Sequence, residues 1–96
     1  NHYLVDRFQR FETQDCPDSG CRLDRFTALV REGWGRWNVE GLKRLLADHD
    51  GEPAGVCRHG AGGTHSIAGY IADPGNKTLH VRRGHGCTGH WTAYEV

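Results

Sequence analysis

The segment HDGEPAGVCRHG, residues 49–60, sets two histidines, two acids, a cysteine and an arginine between a helix-like run and a strand-like run. Within it, Cys57 beside Arg58 and His59 has the ingredients of nucleophilic catalysis: a cation lowers a thiol pKa, and an imidazole can take its proton. Side chains adjacent in sequence usually point apart, so the plainer expectation is a buried thiol beside a solvated pair. Zinc is the other chemistry on offer. Cys16-x4-Cys21, Cys57-x-His59 and His85-x-Cys87-x2-His90 each hold soft or borderline ligands close together, and a closed structural site takes four of them in a tetrahedron. The spacings are not the usual ones, and seven scattered histidines make chance adjacency the ordinary outcome. The expectation is therefore buried thiols and loop residues, with no metal and no cofactor.

The glycines of GAGG and GHG are turns, because neither opens a helix carrying the Lys-Ser or Lys-Thr pair of a phosphate loop. Trp34, Trp37 and Trp91 are expected to close a core or an interface, the usual fate of large aromatics.

These residues must be positioned by few elements. Leu23, Phe26, Leu29 and Val30 recur at spacings of three and four, which predicts a helix over 18–33 with Asp18 or Ser19 at its start and Gly33 at its end. Asn38 caps a second helical run carrying Val39, Leu42, Leu45 and Leu46, stopped at Asp50-Gly51. The period then changes. Ile67, Gly69 and Ile71 alternate with Ala68, Tyr70 and Ala72, the pattern of a strand covered on both sides. Pro74 to Lys77 is a turn in which Gly75 or Asn76 takes the positive dihedral. Leu79 and Val81 return as a second strand, and HWTAYEV is a third. The fold class is α+β: an extended start, two short helices, a β-hairpin and a final strand.

Composition bounds the rest. The chain has 96 residues, 36% of them hydrophobic, with no methionine and 14 glycines. A domain of this size buries about two thirds of its unfolded surface at best, so a self-contained core would be thin and a missing partner is expected. Twelve basic residues balance twelve acidic ones, which leaves no electrostatic footprint for nucleic acid. No apolar run reaches the roughly 18 residues of a membrane span, and the first residues lack the regions of a signal peptide. A soluble, cytoplasmic chain with reduced thiols is the default expectation.

Four segments in order resemble a known series: Asn1-His2-Tyr3; Leu46-Ala47-Asp48-His49-Asp50-Gly51; Cys57-Arg58-His59; and Gly84-His85-Gly86-Cys87 followed by Trp91 and Tyr94. The chain is similar, along nearly its whole length, to the carboxyl-terminal part of the acyl-coenzyme A:6-aminopenicillanic acid acyltransferase family, cysteine-type N-terminal nucleophile hydrolases. The resemblance implies a partial domain, residues 1–96, of an αββα sandwich whose precursor cuts itself before an internal cysteine. That cysteine, upstream and absent here, would attack an amide or thioester carbonyl of a small-molecule substrate, and the partner of this chain would be the remainder of the acyltransferase. Asn1 would match the family asparagine whose side-chain amide faces the developing oxyanion. Arg58 would match an arginine at the edge of the same pocket, holding an acidic partner and the nucleophile's surroundings. The segments VDRFQRFETQDCPDSGC and GAGGTH match only loosely, and these 96 residues alone are expected to be catalytically silent. The alternative is a small zinc-binding or protein-interaction module.

Overall fold

The computed structural model describes residues 2–12, 17–52, 54–60 and 65–96. In chain order they form α1 (Asp6–Gln9), α2 (Pro17–Glu32), α3 (Val39–Leu46), β1 (Ala68–Asp73), β2 (Thr78–Arg83) and β3 (His90–Glu95). The α+β expectation holds, with one difference in the helices: a single turn, α1, stands in the stretch read as extended. The first of the two expected helices keeps the expected length of 16 residues, one position earlier than 18–33.

Pro17 opens α2 at the position where a missing backbone N–H costs nothing. Asp18 and Ser19 therefore lie inside the first turn and do not cap it; their side chains hold other parts of the chain. The left-handed residue beyond the helix is Gly35 (φ 79°) rather than Gly33. Gly33 answers a different need, because a Cβ there would come within 2.6 Å of the Trp37 ring. Trp37 packs in that corner and donates from Nε1 to the Val30 carbonyl at 3.0 Å, whereas Trp34 is exposed. Asn38 caps α3 as its type predicts, accepting from the Gly41 N–H at 2.7 Å.

The three strands form an antiparallel sheet in the order β1-β2-β3. In the turn after β1, Lys77 takes the positive φ (50°), not Gly75 or Asn76. Asn76 instead ties the turn down, donating from Nδ2 to Asp73 at 2.8 Å.

Register assigns the faces. Gly69, Arg82 and Trp91 are neighbours across the sheet, and Ile71 pairs with His80 on the same side. This side meets α3, and Ile71 is buried on it. Arg82 is also buried there, under Gly69, whose absent Cβ would lie 3.0 Å from the guanidinium. Its Nε and Nη2 donate to the carbonyls of Gly84 (2.9 Å) and Ala68 (3.0 Å), which offsets much of the cost of burying the charge. The opposite side carries Tyr70, Leu79, Val81 and Tyr94. The strand expected to be covered on both sides is thus covered on one: Tyr70 is 73% exposed while Ile71 beside it is 6%.

Among the described residues only Leu45, Cys57 and Ile71 are buried hydrophobics. Helix α2 is joined to the rest through polar links, and its Leu23 and Phe26 stay more than one third exposed. No described helix is long and apolar enough to cross a membrane.

Candidate functional site

The loop from α3 to β1 carries the chemistry and is fixed at both ends. At its start, Asp48 receives two hydrogen bonds from the Arg25 guanidinium of α2, each 2.9 Å, and Arg25 also reaches Asp50 at 3.3 Å. The Arg25 hydrogen bonds hold the Asp48 carboxyl below its ordinary range. Gly51 then turns the chain with φ 88°, and the Cys57 N–H returns to the Asp48 carbonyl at 2.8 Å. At its far end Ser66 pins Arg58 twice: the Arg58 N–H donates to Ser66 Oγ (3.0 Å), and the Ser66 N–H donates to the Arg58 carbonyl (2.7 Å). The loop closes on itself, with residues 57–59 at its centre.

Arg58 points to the first turn of α2. Its Nη1 donates to Asp18, in an ion pair whose arginine side chain is only 12% exposed. Its Nε is buried with no hydrogen-bond partner among the described residues. One residue along the same turn, Ser19 is hydrogen-bonded to His2 Nδ1. Asn1 lies outside the described residues. Between the start of the chain and this turn is an open cavity of about 340 Å³, lined by His2, Leu4, Ser19, Leu23, Phe26 and Val56. Arg58 is thus paired with Asp18, and the neighbouring Ser19 holds His2.

Cys57 and His59, on either side of Arg58, turn the other way. With His49 and Cys87 they form a group whose four ligand atoms all lie within 4.8 Å of one another. His49 Nε2 is 2.8 Å from His59 Nε2, and Cys87 Sγ is 3.2 Å from the same His59 nitrogen. Cys57 is completely buried. Burial pushes its thiol pKa up, while the backbone N–H groups of Cys87 and Gly86 act against that shift. The arrangement depends on Gly86, which is buried and passes so close to the Leu46 carbonyl that a Cβ there would collide with it. That approach brings Cys87 to the end of α3, beside His49.

Spacing pointed to a different set. His85 is not a member: its Nδ1 donates to the Ser66 carbonyl at 2.8 Å, and its ring stacks 4.8 Å from the His59 ring. His90 begins β3 on its exposed side, Cys21 is an exposed thiol on α2, and Cys16 lies outside the described residues. His49, which no short-spaced pair contained, belongs because the Asp48 to Cys57 link folds the loop back. The GAGG glycines also lie outside the described residues.

No family model matches the chain, and no curated protein matches it.

Proposed function

We propose that this chain is the carboxyl-terminal wall of an acyltransferase or amidohydrolase of the N-terminal nucleophile type. It would present Asn1 and Arg58 to an amide or thioester carbonyl attacked by a cysteine from the rest of the protein. The observation that carries the proposal is the pair of links on the first turn of α2: Ser19 to His2, which adjoins Asn1, and Asp18 to Arg58. His2 and Arg58, from two of the segments that carry the resemblance, are held by neighbouring side chains of one helix.

The architecture agrees. A helix packs on one face of the sheet, while on the other Tyr70 and Tyr94 stand exposed beside the half-buried Leu79 and Val81. A second sheet on that face would complete the inner pair of an αββα sandwich and would supply the core this chain lacks.

Each side chain has a definite task in this reading. The Asn1 side-chain N–H donates to the oxyanion that develops as the thiolate adds to the carbonyl, an interaction realised in the transition state. Arg58 is a positioning residue. Its Nη1 is committed to Asp18, which holds the first turn of α2 against the loop that carries Arg58.

The test is kinetic and uses the complete protein with chromogenic anilides and acyl thioesters as substrates. Asn1→Ala is expected to lower kcat by about 10²–10³-fold with little change in KM. Turnover unchanged in Asn1→Ala would remove the assigned role.

A further inference from the structure

The group around His59 poses a hydrogen-bonding problem. A neutral imidazole Nε2 has either one N–H or one lone pair, directed along a single line in the ring plane. Here that one nitrogen is approached by His49 Nε2 at 2.8 Å and by Cys87 Sγ at 3.2 Å. It cannot satisfy both, and Cys57 Sγ closes the group from the buried side. One cation placed among the four atoms would satisfy all of them.

The dimensions agree with that solution. Zinc takes nitrogen at about 2.0–2.1 Å and sulfur at about 2.3 Å, so a tetrahedron has edges of about 3.3 Å between nitrogens and about 3.8 Å between sulfurs. The four atoms here lie within 4.8 Å of one another, and the histidine pair is 2.8 Å apart. Small side-chain rotations bring these separations to the required edges.

We infer that His49, Cys57, His59 and Cys87 bind one zinc(II) ion as a closed, four-ligand structural centre that fastens the loop between α3 and β1 to the connection between β2 and β3. Two sulfurs and two nitrogens in a tetrahedron select zinc among the common divalent ions, and four protein ligands from the described residues make a structural set. Binding takes the two cysteines as thiolates and the two histidines as neutral imidazoles. Two protons leave, and the double positive charge is balanced by the sulfurs. Since Arg58 stands between two of the ligands, the ion would also fix the backbone from which Arg58 reaches Asp18. The inference stands on the cluster alone and does not need the acyltransferase reading.

The test is metal analysis of the full chain, incubated with zinc under reducing conditions and then dialysed. One tightly held zinc per chain is expected in the parent and in Cys21→Ser, falling to background in Cys87→Ser and His49→Ala, both changed at the accessible side of the cluster. Cobalt(II) in the parent protein serves as a second readout that needs no variant. Intense visible bands of tetrahedral cobalt with thiolate charge transfer in the near ultraviolet are expected. Background zinc in the folded parent, full zinc in Cys87→Ser, an octahedral cobalt spectrum, or a Cys57–Cys87 disulfide in protein purified without reductant would each overturn the inference.

Discussion

Gly86 lies against the carbonyl oxygen of Leu46 with no room for a side chain between them. This single approach sets the turn after β2 on the end of α3 and so brings Cys87 toward His49, Cys57 and His59. The residue is buried, and the obstacle is backbone rather than a side chain that could swing away.

Gly86→Ala is therefore expected to destabilise the chain by about 1–3 kcal/mol, the usual range for forcing a methyl into filled space. Gly20→Ala provides the opposite sign. Gly20 lies within α2 with nothing near its absent Cβ, so alanine should stabilise by about 0.5–1 kcal/mol through helix propensity. Urea midpoints of the two variants and the parent check both directions.

Tyr70 and Ile71, adjacent in β1, face opposite sides of the sheet. Truncating Ile71 to alanine is expected to cost about 2 kcal/mol or more, since it is one of the few buried apolar side chains. Tyr70→Lys should change stability by no more than about 0.5 kcal/mol while reducing the fluorescence of an apolar dye bound to the native chain. A large loss of stability in Tyr70→Lys would mean that this face is already covered.

Asp73 supplies a pH dependence whose sign can be fixed in advance. Hydrogen bonds from the Asn76 side chain and backbone hold its carboxyl below the ordinary carboxylate range. A folded-state pKa lower than the unfolded one adds stability that is present above about pH 4. It is lost as pH falls through the depressed folded value. Asp73→Asn is expected to remove that part of the acid dependence and to leave stability at lower pH nearly unchanged. Denaturation midpoints of both proteins from pH 7 down to pH 3 measure the difference, and parallel curves would contradict it.

Local chemistry made much of the fold legible. Asn38 caps α3, Gly51 takes the left-handed turn, and the hairpin forms around Pro74 to Lys77 because each residue type meets a purely local demand. What was not legible depends on tertiary approach. The alternation in β1 and β2 marked apolar faces, yet the face that meets α3 buries Arg82, which Gly69 makes room for across the sheet. Gly33 reads as a helix stop, but the ring of Trp37 is what requires it. The candidate metal ligands were half visible. His49, Cys57 and His59 share the segment 49–60, but only Cys57 and His59 form a short-spaced pair; His49 and Cys87 join them through the Asp48 hydrogen bond and the Gly86 approach, neither of which leaves a spacing signature. All four nevertheless fall within the segments that carry the family resemblance.

The first turn of α2 supplies a further prediction. Asp18→Asn keeps the shape of the Arg58 partner and removes its charge. Because Arg58 is largely buried, losing the carboxylate should lower stability by about 1–3 kcal/mol. In the complete protein it should also reduce kcat, whereas Arg31→Ala, exposed in the last turn of the same helix, should not. Equal kinetic effects of the two variants would show that the pairing has no special role.

Mass spectrometry of the complete protein bears most directly on the central proposal of a pocket wall serving a cysteine nucleophile. After expression, the protein is expected as two pieces cut before a cysteine, and a slowly turned-over amide or thioester substrate should add its acyl group to that residue. Asn1→Ala should slow the appearance of the adduct. An uncut polypeptide that takes up no acyl group from any substrate in the panel would contradict the account.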